Sequence, residues 1–514
     1  MDNTGVRSLM STPTGSLSIL ASAVLQPGFE GSDAPPDWVR RWLGEGLGGV
    51  ALFARNVRDT AQVSALTAAL RAERPDVLVA IDEEAGDVTR FESRTGSSRP
   101  GNLALGAIDD PELTERVARD LGAELAAAGI TLNYAPVADV NSNPDNPVIG
   151  VRAFGADSAL VARQTAAWVR GLQAAGVAAC AKHFPGHGDT SVDSHIDVPR
   201  IDSTRDQLEL AELPPFRAAI DAGVQAIMTG HLLVPAIDDE WPATLSRRVL
   251  NGLLREELGF QGVVITDGIE MRAVADRYGL EAVAVRALAS GVDAICVGGD
   301  HADEETARRL RDAVVAAVVS GELPEERLVE AAKRVGQLAA WTTAARAEQD
   351  PWPGSGPQGS PIGLAAARQA IRLTAEPDAV PLPLDSAAHV VEFAPPRNIA
   401  IGAETPWGLA EPLAALLPGT TSIRLTADDL PTGDRLPPSL LAPAVGRPLV
   451  LVVRDLHRHD WMAGTVSRVL AVRPDAVVVE LGVPERVTGR LHLATFGATR
   501  AGARAAAELL AGRS

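Results

Sequence analysis

The sequence predicts an α/β chain of two domains, an N-terminal (β/α)8 TIM-type barrel followed by a C-terminal three-layer α/β sandwich domain. Three observations predict it. Eight short apolar runs alternate with helix-like segments from about residue 17 to residue 341, and near-continuous apolar strands covered by helices mean a parallel sheet. At 514 residues the chain exceeds one ordinary core. A Pro/Gly/Ser-rich stretch at 350–363, DPWPGSGPQGSPIG, separates the first region from a second alternating one. The expected boundaries are 1–345 for the barrel, 346–370 for a linker or strap and 371–514 for the sandwich.

The eight runs are 23–29, 48–53, 77–82, 131–137, 178–183, 226–231, 262–267 and 294–297. The first is the weakest strand, because Pro27 donates no ladder hydrogen bond. Amphipathic stretches at 60–73, 111–128, 159–175 and 280–289 supply covering helices. In the second region, 390–393, 422–425, 449–453 and 476–481 read as strands, and 407–417, 461–472 and 499–510 as helices. No Gly-rich phosphate fingerprint follows any of these strands, so no nucleotide site is expected there.

Lys and Arg total 47 against 66 Asp and Glu, a formal net charge of -19, which argues against nucleic acid or an anionic membrane as partner. The two cysteines, Cys180 and Cys296, both lie inside apolar runs and suggest neither a disulfide framework nor a cysteine-based zinc site. The first residues, MDNTGVRSLMSTPTGS, lack the charged-then-apolar pattern of a signal peptide, and no apolar run reaches the roughly 20 residues that span a bilayer. A cytoplasmic protein, monomeric or homodimeric, is expected.

Active sites of such barrels sit at the C-terminal strand ends, and four of the eight runs end in polar groups: Asp82, Lys182 with His183, His231 and Asp267. Asp267 ends GVVITD, so a rigid strand would hold its carboxylate at the mouth, fit to attack an electrophilic carbon or to steady a cation. The same aspartate could instead cap the next helix. The polar stretch KHFPGHGDTSVDSH, 182–195, follows an apolar run and carries Asp193 and His195 two residues apart. In an extended loop such side chains point the same way, so the carboxylate can orient the imidazole as a proton shuttle. His183, His187 and Asp189 raise a zinc site as a rival; the absent H-E-x-x-H pattern and the intervening glycines argue against it, and no metal or cofactor is expected. Asp82, in IDEEAGDVTRF, is followed by Glu83, Glu84 and Asp87, with Arg90 eight residues on. Such carboxylates and arginines can grip vicinal sugar hydroxyls, though the cluster reads equally as a solvated acidic loop. Arg152, in IGVRAFG, fits a salt bridge or a ligand contact. His231 is counted with the substrate-binding strand ends.

In order along the chain, PGFEG, GGVALFARN, IDEEAG, APVADVN with IGVRAFG, KHFPGHGDTSVDSH and GVVITDGIEM resemble glycoside hydrolase family 3, in its β-N-acetylglucosaminidase branch. The resemblance covers about 17–341. It implies a retaining mechanism with Asp267 as nucleophile, His195 as general acid/base oriented by Asp193, and sugar contacts from Asp82, Arg90, Arg152, Lys182 and His183. A histidine acid departs from the usual pair of catalytic carboxylates. The chain also departs from the branch itself. Ala85 and Asp87 stand where a glycine and an arginine are usual, and Gly268 where a second aspartate is usual. The second domain resembles the α/β domain of larger members, and is expected to shape the rim or support assembly. The expected function is removal of terminal β-linked N-acetylglucosamine from small cell-wall or chitin-derived glycosides. The alternatives are a β-N-acetylglucosaminide or β-glucoside phosphorylase, favoured by a histidine acid that does not repel phosphate, and a catalytically silent sugar-binding protein.

Overall fold

The computed structural model describes residues 13–190, 198–348, 354, 356, 358–398, 400–430 and 436–513. The chain forms two compact units. The first comprises Met1–Glu84, Thr114–Val148 and Ala156–Gly354; the second comprises Ala85–Leu113, Ile149–Gly155 and Ser355–Ser514. Two segments that the sequence reading leaves within the barrel, 85–113 and 149–155, thus cluster with the C-terminal region. The expected strap at 346–370 ends in a helix, Pro361–Ala370, opened by proline and capped by the Ser360 side chain on Gly363 N–H.

In the first unit, β2 (Gly49–Leu52), β3 (Leu78–Ile81), β4 (Leu132–Asn133), β5 (Ala178–Phe184), β6 (Ala226–Thr229) and β7 (Val263–Thr266) form a parallel sheet in sequence order. β1 (Leu25–Pro27) pairs in parallel with β8 (Ile295–Val297). Pro27 sits in register with Val297, and Gly28 rather than Pro27 donates to the Val297 carbonyl at 2.7 Å. A parallel bridge between Ile265 and Ala294 joins the β7 and β8 segments. The run expected as a strand over 131–137 is a ladder only at Leu132–Asn133. Pro136 has no N–H to give, but its carbonyl accepts from Lys182 N–H at 3.0 Å.

Helices Thr60–Glu73, Ser158–Ala174 and Leu280–Ser290 lie close to the segments expected. Asp59 and Asp157 cap the first two through their side chains. Alternate residues of successive strands share one apolar cluster: Ala51, Leu78, Ala80, Leu132, Ala178, Cys180, Ala226, Met228, Val263, Ile265, Ala294 and Cys296. Period-two alternation sends these side chains to one face. Val335, Leu338 and Ala339 of the helix Glu325–Ala347 pack against them.

In the second unit, β11 (Thr421–Leu425), β10 (His389–Phe393), β12 (Leu449–Val453), β13 (Val477–Glu480), β14 (Leu491–Ala494) and β9 (Arg372–Ala375) lie side by side in that order. Only β9 is antiparallel. Val390, Val450, Val452, Val477 and Val479 pack with Leu413, Ala506 and Leu510, while the alternating Val391, Leu449, Leu451 and Val478 pack with Leu440, Met462 and Val466. Helices therefore cover both faces. β9 and β14 are not among the strands expected from apolar runs: RLTA is exposed throughout, and His492 interrupts LHLA. Among the described residues, no helix is long and apolar enough to cross a membrane.

Asp293, just before β8, is fully buried and bolts this end of the first unit. Its carboxylate meets Arg255 at 2.6 Å, Arg327 at 2.5 Å and Arg334 at 3.3 Å, and accepts from Val264 N–H at 3.0 Å. Removing one partner of a buried pair strands the others. Asp293→Ala is expected to lower unfolding stability by about 3–5 kcal/mol; an unchanged urea midpoint for the first unit's transition would contradict this.

Candidate active site

The polar strand ends of the first unit are linked stepwise. At the end of β5, the Lys182 ammonium is ion-paired with Asp82 and lies 2.7 Å from Glu84 Oε1. The lysine side chain is 2% exposed and Glu84 3%, whereas Asp82, just beyond β3, keeps 28%. A buried ammonium needs such partners, because desolvation costs several kcal/mol per ion. Asp82 is the most solvent-exposed member of the trio.

His183 follows at once. Its Nδ1 lies 2.8 Å from Asp139 Oδ2, and its backbone N–H donates to Asp139 Oδ1 at 3.1 Å. Asp139 is fully buried and also accepts from His187 N–H at 2.8 Å. A carboxylate on Nδ1 fixes the tautomer with Nε2 as the acceptor nitrogen. His187 turns its Nδ1 to the Thr190 hydroxyl at 2.7 Å. The two imidazoles stand edge to face, 5.9 Å between centroids. Among the described residues, no group of three or more His, Cys, Asp or Glu is arranged to hold a metal ion.

Asp267 follows β7 and is partly exposed. Its backbone N–H donates to Thr229 O at 3.2 Å, and its Oδ1 accepts from Gly268 N–H at 2.8 Å. That local bond holds the carboxylate at the strand end without using a helix cap; the next helix, Arg272–Tyr278, has no side-chain cap. His231 is fully buried. Its Nδ1 meets the Thr244 hydroxyl at 2.9 Å and its Nε2 the Gly268 carbonyl at 3.0 Å, so it supports the Asp267–Gly268 segment from behind. Asp82 and Asp267 both act on the thiols of Cys180 and Cys296, whose titration burial pushes up and these carboxylates raise further. Neither thiol is poised as a nucleophile.

Glu270 ties this site to the end of β8. Its Oε1 accepts from Gly298 N–H at 3.0 Å and from Gly299 N–H, while Oε2 is buried with no partner among the described residues. Burial pushes the carboxyl above its ordinary range; backbone donors pull it back and Asp267 adds to the rise. Arg55, beyond β2, donates to the carbonyls of Phe29, Gly298 and Gly299 and pairs with Glu30 at 3.1 Å.

Arg90 and Arg152 belong to the second unit. Arg90 donates to Ala400 O at 3.2 Å, and Arg152 is buried, its carbonyl accepting from Asn102 Nδ2 at 2.8 Å. Asp193 and His195 lie outside the described residues. Asp139, Glu270 and the partnership of Glu84 with Lys182 escaped the sequence reading. Asp139 stands within APVADVN, where an acid closing an apolar run is the one available signal.

Residues 27–338 match the Glycosyl hydrolase family 3 N terminal domain, and the chain belongs to that family. The chain is similar to the glycoside hydrolase family 3 β-N-acetylglucosaminidase from Paenibacillus sp. str. FPU-7, with 34% identity, a TM-score of 0.85 and coverage of 97% of each chain. It is 36% identical over 316 residues to beta-hexosaminidase A of Pseudoalteromonas piscicida, a match covering 57% of this chain and 53% of that one, so this chain aligns with about half of that relative's length. With the beta-hexosaminidase of Nitrosomonas eutropha it shares 40% identity over 268 residues, 50% of this chain and 76% of that one.

Asp139 satisfies two backbone donors and one ring nitrogen in a buried setting. Asp139→Ala leaves all three unpaired, an expected loss of at least about 3 kcal/mol. Urea unfolding measures it, and a midpoint equal to wild type would refute the assignment.

Proposed function

We propose that the protein is a retaining exo-β-N-acetylglucosaminidase that removes terminal β-linked N-acetylglucosamine from small cell-wall or chitin-derived glycosides. The observation that carries this reading is the placement of Asp267 at the end of β7, its carboxylate held by Gly268 N–H, on the same series of strand ends as Asp82, Lys182 and His183. Family membership and the named activities of the similar proteins support it. The reading takes the first unit as a closed (β/α)8 barrel with a catalytic domain over 1–345. The shared inward cluster of its strands and the Ile265–Ala294 bridge support that closure.

Asp267 attacks the anomeric carbon while His195, oriented by Asp193, protonates the departing glycosidic oxygen. A covalent glycosyl-aspartate results. His195, now neutral, takes a proton from water as that water attacks the same carbon, which frees the sugar and restores Asp267. Asp82 accepts from sugar hydroxyls, Lys182 donates to them, and His183 presents its Nε2 as an acceptor. Arg90 and Arg152 are assigned to sugar binding through the motif match alone. His231 is a positioning residue for Asp267. Two side chains complete the cycle, and no cofactor enters it. The reading places the protein in the cytoplasm as a monomer or homodimer; the net charge of -19 opposes polyanionic partners.

Asp267→Ala is expected to lower turnover of an aryl β-N-acetylglucosaminide by at least about a thousandfold, and a 2-fluoro sugar should label the wild type on the peptide bearing Asp267. Normal turnover by the variant would overturn the assignment. Sugar 1-phosphate as the main product in phosphate buffer would replace hydrolysis by phosphorolysis.

A further inference from the structure

Glu212 is a buried carboxylate that the proposed mechanism does not use. It stands where the helix Arg205–Ala211 ends and the helix Leu213–Asp221 begins, with 2% of its surface exposed. Among the described residues its Oε2 has no hydrogen-bond partner. The carboxyl packs against the backbone of Gly186, so closely that a Cβ there would collide with it and would lie 2.9 Å from Glu212 Cβ. Gly186 adopts φ +128°, a conformation L side chains rarely take, and its N–H donates to His183 O at 2.8 Å. Glu212 therefore forms one wall of the loop between His183 and Thr190. The same loop is also held by Asp139, which engages His183 and His187, and by Asn146, whose Nδ2 donates to the carbonyls of His187 at 2.8 Å and Gly188 at 3.0 Å.

We propose that Glu212 is a positioning residue whose carboxyl, packed on Gly186, seats this loop and so keeps His183 in its binding orientation. Its burial and the charges around it favour the neutral form. From the segment after β4 it faces Asp139, and from the loop after β5 it faces Asp189; His183 and His187 are engaged by Asp139 and Thr190. On its own helix pair, Arg205 and Arg217 are occupied by Glu209 at the surface. Burial, then Asp139, then Asp189 push the Glu212 carboxyl up to about 8. It is protonated at neutral pH. Ionisation would set a third negative charge against Asp139 and Asp189, and among the described residues no cation is paired with Glu212. The sign of the linkage follows: the folded state holds a proton that the unfolded chain releases near 4.5. The group's contribution is thus least unfavourable below that pH and declines as pH rises to about 8.

The seating of the loop stands apart from the enzymatic reading, whereas its consequence for sugar binding rests on the proposed function. The test uses the full-length chain and Glu212→Gln, a neutral side chain of the same shape. Hydrogen exchange of peptides spanning 183–190, corrected for intrinsic rates, should show wild-type protection falling at least fivefold between pH 7 and 9, while the variant stays within twofold. N-acetylglucosamine affinity, measured by calorimetry, should fall in parallel for the wild type and hold for the variant. Equal alkaline loosening in both proteins, or a wild-type loop that stays protected to pH 9, would overturn the proposal. Exchange behaving as expected with no sugar bound at any pH would preserve the role of Glu212 and reject the sugar-binding reading.

Discussion

The arrangement of the site depends on the burial of one ammonium group. Lys182 lies almost wholly inside the protein, and an unpaired charge there would cost more than a marginally stable fold can spare. Asp82 and Glu84 are therefore obligatory neighbours, which draws the chain leaving β3 onto the end of β5. The next residue, His183, inherits its place from Lys182 and its orientation from Asp139. From there, Asp267 N–H on Thr229 O and Glu270 on Gly298 carry the connection through β6 and β7 to β8. Polar contacts thus link the ends of β3 and β5, of β6 and β7, and of β7 and β8, above the apolar cluster that the strands share.

Strand-end chemistry was legible because it is local. An apolar run ending in Asp82, Lys182 or Asp267 states both a strand and a polar terminus in a few letters. What stayed hidden is what distance in sequence conceals. Asp139 lies 44 residues from His183, and Glu212 lies in an ordinary amphipathic helix pair whose pattern does not distinguish a buried acid from a solvated one. The second domain follows the same rule. β12, five apolar residues in a row, was evident; β9, four exposed residues defined only by pairing with β14, was not.

Two departures from the family pattern have physical accounts in the second unit. Asp87 pairs with Arg454 at 2.6 Å and accepts from Ala498 N–H at 2.8 Å. Burial pushes its carboxyl up and Arg454 pulls it back; two donors on the carboxylate favour the ionised pair. An arginine at position 87 would meet Arg454 with like charge, so the two positions are complementary across 367 residues. Ala85 takes φ +61°, a left-handed conformation that costs an L-residue roughly 1–2 kcal/mol. Glycine relieves that cost, which explains why glycine suits the position and why alanine is tolerable there.

Gly268 is the departure nearest the chemistry, and it bears on Asp267 through Glu270. A Cβ at position 268 would stand 3.3 Å from Glu270 Oε2, the oxygen without a partner among the described residues. An aspartate there would bring a second carboxylate toward a buried one already raised by its surroundings and by Asp267. With glycine, Glu270 keeps its grip on Gly298 and Gly299, and position 268 gives its N–H to Asp267 and its carbonyl to His231. The backbone of Gly268 therefore supplies one hydrogen bond to the strand-end carboxylate. Glycine at position 268 thus sets no side chain beside the buried Glu270 carboxyl while its backbone keeps the hydrogen bond to Asp267.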